Sequence, residues 1–330
     1  PDKLRRADDP AYDASAFEEV LEPKTDSDHE KLLSMLDAVN DYRLPIEDIV
    51  DKYFDLDNLT SYMAFNILMG NPDSNAQNYF LYSPVNSNTW YYLCWDGDGS
   101  MSYYEDELLE DAWAEGEWTK GLSDYWGVVL FNRMLKVRSF RDALTEKVEA
   151  LHMIITPERI ASLIQRYRKV VDRFVHRMPD QIHMRVPAKK LEMIYQNTPF
   201  DVERSYRYYM ESLHKPMPFY MGDAEVDRDD LVLLWEAAYD FEGDFVRYDV
   251  QVASDWTFEP EAVLWESLDQ LAISAKLDLL PAGTYYWRVT ATNERGYTQS
   301  AFDQVMTSSG AHTGMRAFTV REDGTVINEL

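Results

Sequence analysis

Gly70-Asn-Pro-Asp-Ser-Asn-Ala-Gln-Asn-Tyr-Phe-Leu-Tyr82 and Trp90-Tyr-Tyr-Leu-Cys-Trp-Asp-Gly-Asp-Gly-Ser100 are the stretches whose reading decides how this chain folds. Each holds a short aromatic-rich run bounded by Asn, Asp, Gly or Pro, and Ser83-Pro-Val-Asn-Ser-Asn-Thr89 between them consists largely of turn residues. That pattern predicts a β-hairpin. The midpoint between Asn78 and Asp96 is Ser87, inside the turn. A symmetric hairpin therefore makes Asn78 and Asp96 cross-strand neighbours, with Cβ atoms ~5 Å apart. Asp73 lies on the loop feeding the first strand and Asp98 on the loop leaving the second. Three carboxylates and an amide at one open end form a hard-cation site of oxygen ligands, suited to magnesium or manganese and a bound phosphate.

Outward from the hairpin the period changes twice. Residues 1–30 are polar and read as a lead-in. From Asp28 to Gly70 apolar residues recur at helical steps (Leu32, Leu33, Leu36 and Val39, then Leu59, Tyr62, Met63, Phe65 and Leu68), with Asp57 or Asn58 as the cap of the second helix. Residues 105–215 read as helical again, most clearly over Tyr125–His152, Pro157–Met178 and Val202–His214. Thr156 followed by Pro157 supplies a cap and a first-turn proline. Beyond Pro216 and Pro218 the period becomes two. Leu231–Trp235, Val246–Val252, Thr284–Ala291 and Met315–Val320 read as strands, with Tyr285, Trp287, Val289 and Ala291 on one inward face. About 100 residues of this kind make a β-sandwich. The expectation is an α+β protein: a mainly helical domain carrying the hairpin over 1–216, an all-β sandwich over 217–322, and a tail at 323–330.

Composition narrows the function. The 330 residues include 32 Lys and Arg against 59 Asp and Glu, a net charge of −27. Such a surface repels nucleic-acid backbones and anionic lipid, so neither is an expected partner. No apolar run approaches the ~20 residues of a membrane span. A lone cysteine, Cys94, excludes an internal disulfide framework, and the acidic residues after it argue against a reactive thiolate. The six histidines are scattered without metal-binding spacing.

Spacing adds a reaction class. Protein kinases place a catalytic aspartate five residues before a metal-binding asparagine, then a hairpin, then a second metal-binding aspartate. Asp73, Asn78 and Asp96 follow that order. Asp73-Ser-Asn-Ala-Gln-Asn78-Tyr79 and Trp95-Asp-Gly-Asp98 resemble the motifs of the CotH kinase family, the atypical kinases of spore-coat type. The resemblance covers residues 1–215 and corresponds to that family's C-terminal lobe. It implies a kinase-like fold, ATP as co-substrate, magnesium or manganese, and phosphorylation of protein Ser or Thr hydroxyls. By motif match Asp73 is the catalytic aspartate, Asn78 and Asp96 hold metal and nucleotide, and Asp98 is a further metal ligand. Ser74 and Asn75 depart from the family's usual Arg-His pair. The family's nucleotide-binding N-terminal lobe, with its lysine, is not in this sequence, and Lys3 and Arg5 sit near where that lobe would end. Leu280–Gly296, with Trp235 in an early strand, resembles a fibronectin type III module. That implies a spacer or adhesive unit open to glycan or surface-protein contact, and the family's usual context implies a secreted or cell-surface bacterial protein.

Three rival readings use the same residues. A non-catalytic surface protein would keep the kinase-like domain in degenerate form. Asp96-Gly-Asp-Gly-Ser-Met101 also resembles the first motif of haloacid-dehalogenase-type phosphatases, with Asp96 as nucleophile, Asp98 as acid/base and Gly222–Asp227 as a late acidic motif. That class requires alternating strands and helices. A calcium loop from Asp96 to Glu107 lacks its sixth-position glycine, which is Met101 here. Trp95, Tyr79 and Cys94 read as core packing rather than adenine contacts, and Glu105–Asp111 as solvated helix ends.

Overall fold

The segment 56–69 is apolar almost all round, and a helix of that kind is stable only inside a core. In the computed structural model, which describes residues 9–11, 13, 15, 16, 30–101, 116–184 and 186–329, it is the central element of a helical domain. The helices α1 (Glu30–Asn40), α2 (Ile46–Tyr53) and α3 (Leu56–Met69) lead into the hairpin. The cap of α3 is Asp55, whose carboxylate accepts the Asn58 N–H at 2.8 Å, so the expected caps Asp57 and Asn58 lie within the first turn instead. Gly70 ends α3 in the left-handed conformation (φ 56°), returning its N–H to the Asn66 and Ile67 carbonyls.

The hairpin strands β1 (Tyr79–Tyr82) and β2 (Tyr91–Cys94) form a two-stranded antiparallel sheet against α3. The stretch expected as one helix over 125–152 is three: α4 (Ser123–Trp126), α5 (Val129–Leu135) and α6 (Arg138–His152). Val128 and Val137 are extended, and both valines pack against the core, which breaks the helix where propensity alone would carry it on. There follow α7 (Pro157–Val175), with the Thr156 hydroxyl accepting the Arg159 N–H as expected, then α8 (Ala188–Asn197) and α9 (Asp201–Ser212). α6 and α9 pack on α3 around Leu59, Met63, Leu68, Phe131 and Tyr209, each at most 1% exposed. Between the hairpin and residue 217 the described residues are helical, with none of the alternating strands that a haloacid-dehalogenase fold needs. Among the described residues no helix is long and apolar enough to cross a membrane.

The second half is a sandwich. Strands β3 (Glu225–Asp227), β4 (Asp230–Leu234) and β7 (Ser274–Asp278) form one sheet, in the order β3-β4-β7. The other runs β13 (Val326–Glu329), β12 (Met315–Val320), β8 (Gly283–Asn293), β5 (Val246–Ala253) and β6 (Val263–Gln270), with β9 (Thr298–Ser300) also on β8. A separate ribbon pairs β10 (Gln304–Thr307) with β11 (Gly310–Thr313). As the alternation predicts, Tyr285, Trp287, Val289 and Ala291 are all buried, facing Trp235, Leu231 and Leu233 of the smaller sheet. The tail expected at 323–330 instead supplies β13, because Val326–Glu329 pairs along the free edge of β12.

Aromatic side chains join the halves. Trp126 meets Tyr239 and Phe241 at ring separations of 5.4 and 5.7 Å, and Phe302 lies between Trp118 and Tyr220. Buried Asn293 donates to the His214 carbonyl and to Asp240.

Candidate functional site

The loop bearing Asp73 is tied down on its buried side. Asn71, 5% exposed, caps a 3-10 turn over Pro72–Ser74 and donates to the Asn66 side chain. Ser74 donates to the Asn71 carbonyl at 2.9 Å, lies 3.2 Å from the Tyr125 hydroxyl, and its own carbonyl accepts from Tyr62 at 2.7 Å. Asn75 donates to both the carbonyl and the carboxylate of Asp124, at 2.8 and 2.9 Å. Ser74 and Asn75, where the family usually carries Arg-His, therefore face inward as anchors. Asp73, half-buried on the outer side of this turn, takes a long contact of 3.4 Å from the Gln77 amide.

At the other side of the hairpin Asp96 (φ 50°) heads a second 3-10 turn, Gly97–Gly99, without using its side chain as a cap. That turn lies against the Asp73 turn, and the Met101 N–H closes the arrangement by donating to the Met69 carbonyl at 2.7 Å. Asn78 (φ 56°) is left-handed as well. Non-glycine residues in this region are uncommon and strained, Asn and Asp being the most tolerant, and strain of that kind concentrates at functional positions.

Register differs from expectation by one residue. Tyr79 pairs with Cys94 and Tyr82 with Tyr91, and the Trp95 N–H donates to the Asn78 carbonyl at 3.3 Å. Asn78 thus opposes Trp95, and Asp96 sits one step beyond it. The cause is tertiary. The Asn58 side chain clamps both the N–H and the carbonyl of Tyr92, at 2.8 and 3.1 Å, and the Trp90 N–H donates to Tyr53, so β2 is set by α2 and α3 rather than by hairpin symmetry. The left-handed turns at Asn78 and Asp96 then carry both chains out of the ladder on the side of the Asp73 and Asp98 loops.

The acidic gathering is looser than expected. Among the described residues no three His, Cys, Asp or Glu side chains are close enough to form a ready cation cage. The side chains of Asn78, Asp96 and Asp98 take no hydrogen bond or ion pair from a described group, and Asp96 and Asp98 are exposed. A few free hard oxygens on exposed loops fit magnesium held jointly with substrate phosphates and water, which is how that ion is usually bound; they do not fit an all-protein calcium cage.

Beneath the hairpin, Tyr62, Tyr79, Tyr92 and Phe131 form one aromatic cluster with ring separations of 4.9–6.1 Å. Burial pushes the Tyr62 and Tyr92 hydroxyls well above the ordinary tyrosine range. It also raises the Cys94 thiol, whose sulfur lies 3.9 Å from the Asn66 amide. Cys94 itself is exposed rather than packed in the core as expected, and partial desolvation of the sulfur, not the neighbouring acids, is the main cause of that rise. Tyr79 packs in the cluster as expected. Trp95 does not: it is 59% exposed and rests on Phe80, on the outer face. Sequence reasoning missed Asn58, Tyr125 and Asp124 as supports, because each acts on the site from a distant part of the chain. Lys3, Arg5, Glu107 and the Glu105–Asp111 run lie outside the described residues.

The kinase region of C. elegans twitchin (Fn31-NL-kin-CRD-Ig26) is 14% identical, the alignment covering 34% of this chain and 18% of that one with a TM-score of 0.23. A mutant of FN3tt is 18% identical over 26% of this chain and 86% of that one, with a TM-score of 0.17. Neither superposition is close enough to carry an argument. No curated protein matches the chain. A family model does, over residues 2–210, which spans α1–α3, the hairpin and most of the helices after it. Those residues make up more than half of the chain, and on that ground it belongs to the CotH kinase protein family.

Proposed function

We propose that the open end of the hairpin is a phosphoryl-transfer centre, in which Asp73 orients and deprotonates a protein Ser or Thr hydroxyl while Asn78, Asp96 and Asp98 hold magnesium or manganese on the phosphates of ATP. The observation that carries this reading is the pair of left-handed residues, Asn78 and Asp96, at the root of one hairpin beside the anchored Asp73 turn. Family membership supports kinase-related chemistry. Bound metal and nucleotide would supply the phosphoryl group and neutralise its charge.

The chain's own residues supply position and a proton acceptor. The bonds from Asn71, Ser74 and Asn75 to the body of the domain fix the backbone at Asp73, so its carboxylate meets an incoming hydroxyl without first being ordered. The hydroxyl proton would pass to a carboxylate oxygen of Asp73 as the hydroxyl oxygen takes the γ-phosphoryl group and ADP leaves with the bridging oxygen. Asn78 and Asp96 need no rearrangement to present oxygen, since no described group occupies them. Placement at the cell surface or outside the cell belongs to the same reading.

The test is autophosphorylation with labelled ATP and magnesium or manganese, by the complete protein that contains this chain. Asp73→Asn and Asp96→Asn should each lower the rate by about 10²–10⁴-fold. Undiminished transfer in either variant refutes its assigned role. One observation favours a second reading, a nucleotide-free surface protein: Ser74 and Asn75 are turned inward, so no basic group follows Asp73. Thermal shift with ATP and metal separates the two, since a surface protein shows no metal-dependent stabilisation.

A further inference from the structure

Helix α7 covers its domain with one edge only. Of its 19 residues Ile160 alone is fully buried, and Ile164 packs against the core beside it. On the far flank Arg168 binds Glu192 of α8 at 2.7 Å and Asp172 of its own helix at 3.2 Å, and Tyr195 donates to Asp172. Between that anchored edge and solvent runs an uncovered stripe: Leu163, Tyr167, Val170 and Phe174 are 40, 57, 56 and 56% exposed. Their spacing is four, three, four, the seam of a coiled coil, and Val171 beside them is 39% exposed.

Lettering the helix by heptads puts Ile160, Tyr167 and Phe174 at a, and Leu163 and Val170 at d. Every g position is then arginine: Arg159, Arg166 and Arg173, all exposed and without an ion pair to a described carboxylate. The e positions, Ile164 and Val171, are apolar; Ile164 packs against the domain core, whereas Val171 is 39% exposed at the margin of the seam. In a chain of net charge −27, residues 157–177 carry six Arg and Lys against two Asp and Glu, a net of +4. Sign and position of charge therefore both change along this one ridge.

We infer that the outer face of α7 is one half of a helix–helix interface whose other half is an amphipathic helix of a partner protein, with an apolar seam flanked by a row of Glu or Asp. The g row selects this occupant. Partner acids at e would meet the arginines in a parallel pair, and acids at g in an antiparallel one. A second α7 is selected against. Antiparallel pairing sets arginine against arginine, and parallel pairing sets arginine against Ile164 and Val171. An anionic bilayer is disfavoured by the acidity of the rest of the chain. The interface is independent of the nucleotide chemistry proposed for the hairpin.

The test uses a fluorescein-labelled 21-residue peptide with Leu at a and d and Glu at e and g, a matched peptide with Lys at e and g, and the full chain. Fluorescence anisotropy should give saturable binding of the Glu peptide with a Kd below about 500 μM and at least tenfold weaker binding of the Lys peptide. The variant Arg159→Glu/Arg166→Glu/Arg173→Glu should invert that preference. Tyr167→Gln/Phe174→Gln should lose both peptides while circular dichroism is unchanged, and it serves alone if the triple variant does not fold. Equal binding of the two peptides, or no saturation, overturns the inference. So does a dimer of the chain in sedimentation equilibrium that Tyr167→Gln/Phe174→Gln abolishes, which makes a second copy the occupant. Binding to phosphatidylserine vesicles lost in the same variant would instead make the face a membrane contact, and equally overturns it.

Discussion

The chain builds antiparallel β-structure in two ways. The hairpin has four residues in each strand and buries one face on α3, leaving Phe80, Tyr82, Leu93 and Trp95 exposed on the other. In the sandwich, β5 pairs with β8 over eight residues and two sheets close on Trp287, which has no exposed surface. A two-stranded hairpin alone is marginal in water. This one therefore takes both its stability and its register from the helices. The sandwich generates its own. A hairpin held from outside can carry strained residues at its root, since its geometry is decided elsewhere. Asn78 and Asp96 are placed in that way at the hairpin where the phosphoryl-transfer site is proposed.

The sharpest way to break that contrast is to open the sandwich core. Trp287→Ala removes a fully buried side chain and should cost about 3–5 kcal/mol in urea unfolding of the sandwich. Phe80→Ala on the exposed hairpin face should cost less than about 1 kcal/mol. Comparable losses would mean that the hairpin is not the dependent element described here.

Next in size is the clamp on β2. Asn58→Ala leaves the N–H and carbonyl of Tyr92 without their partners, at a cost of about 1–3 kcal/mol. Amide exchange should accelerate at Tyr91–Cys94 while β5 and β8 keep their protection. Protection unchanged in β2 would show that the register is intrinsic to the strands.

These clamps also explain what was legible in the sequence. The inward face of β8 could be read because buried residues alternate there without exception; β12 could be read although its alternation slips once, at the adjacent buried pair Ala317 and Phe318. β6 escaped notice because its pattern is inverted: on this edge strand Leu264 and Leu268 face solvent. The hairpin could be read from its turn residues, but its register could not. Symmetry about Ser87 was the only local guide, and Asn58 and Tyr53 act from more than thirty residues away. Likewise, nothing local marks Val128 and Val137 as breaks in a helix; packing decides that.

A smaller effect tests whether helices are as locally specified as they look. Thr156 caps α7 by accepting the Arg159 N–H at 3.3 Å. Thr156→Ala should cost about 1 kcal/mol and, by loosening the first turn, should raise amide exchange at Arg159 and Ile160 before any effect at Phe174.

The smallest effect compares one exposed carboxylate from each half. Asp41, below α1, is held at about 2, chiefly by its hydrogen bond to the Arg43 side chain. Asp323, in the turn between β12 and β13, is also lowered, chiefly by the neutral Thr325 hydroxyl and then by the Thr325 N–H. Both folded-state values lie below the unfolded one of 3.8, so each contributes stability that is present above pH 3.8 and is lost as pH falls through the folded value. The partners differ in charge, and only an interaction between charges is screened by salt. In NMR titrations, raising sodium chloride from about 0.05 to 0.5 M should move Asp41 up toward 3.8 and leave Asp323 nearly where it was. Arg43→Ala should raise Asp41 part of the way at low salt, and Thr325→Val should raise Asp323 part of the way at either salt, because the backbone N–H at 43 and at 325 still donates in each variant. Equal salt shifts at the two sites would mean that net charge, not the local partner, sets both carboxylates.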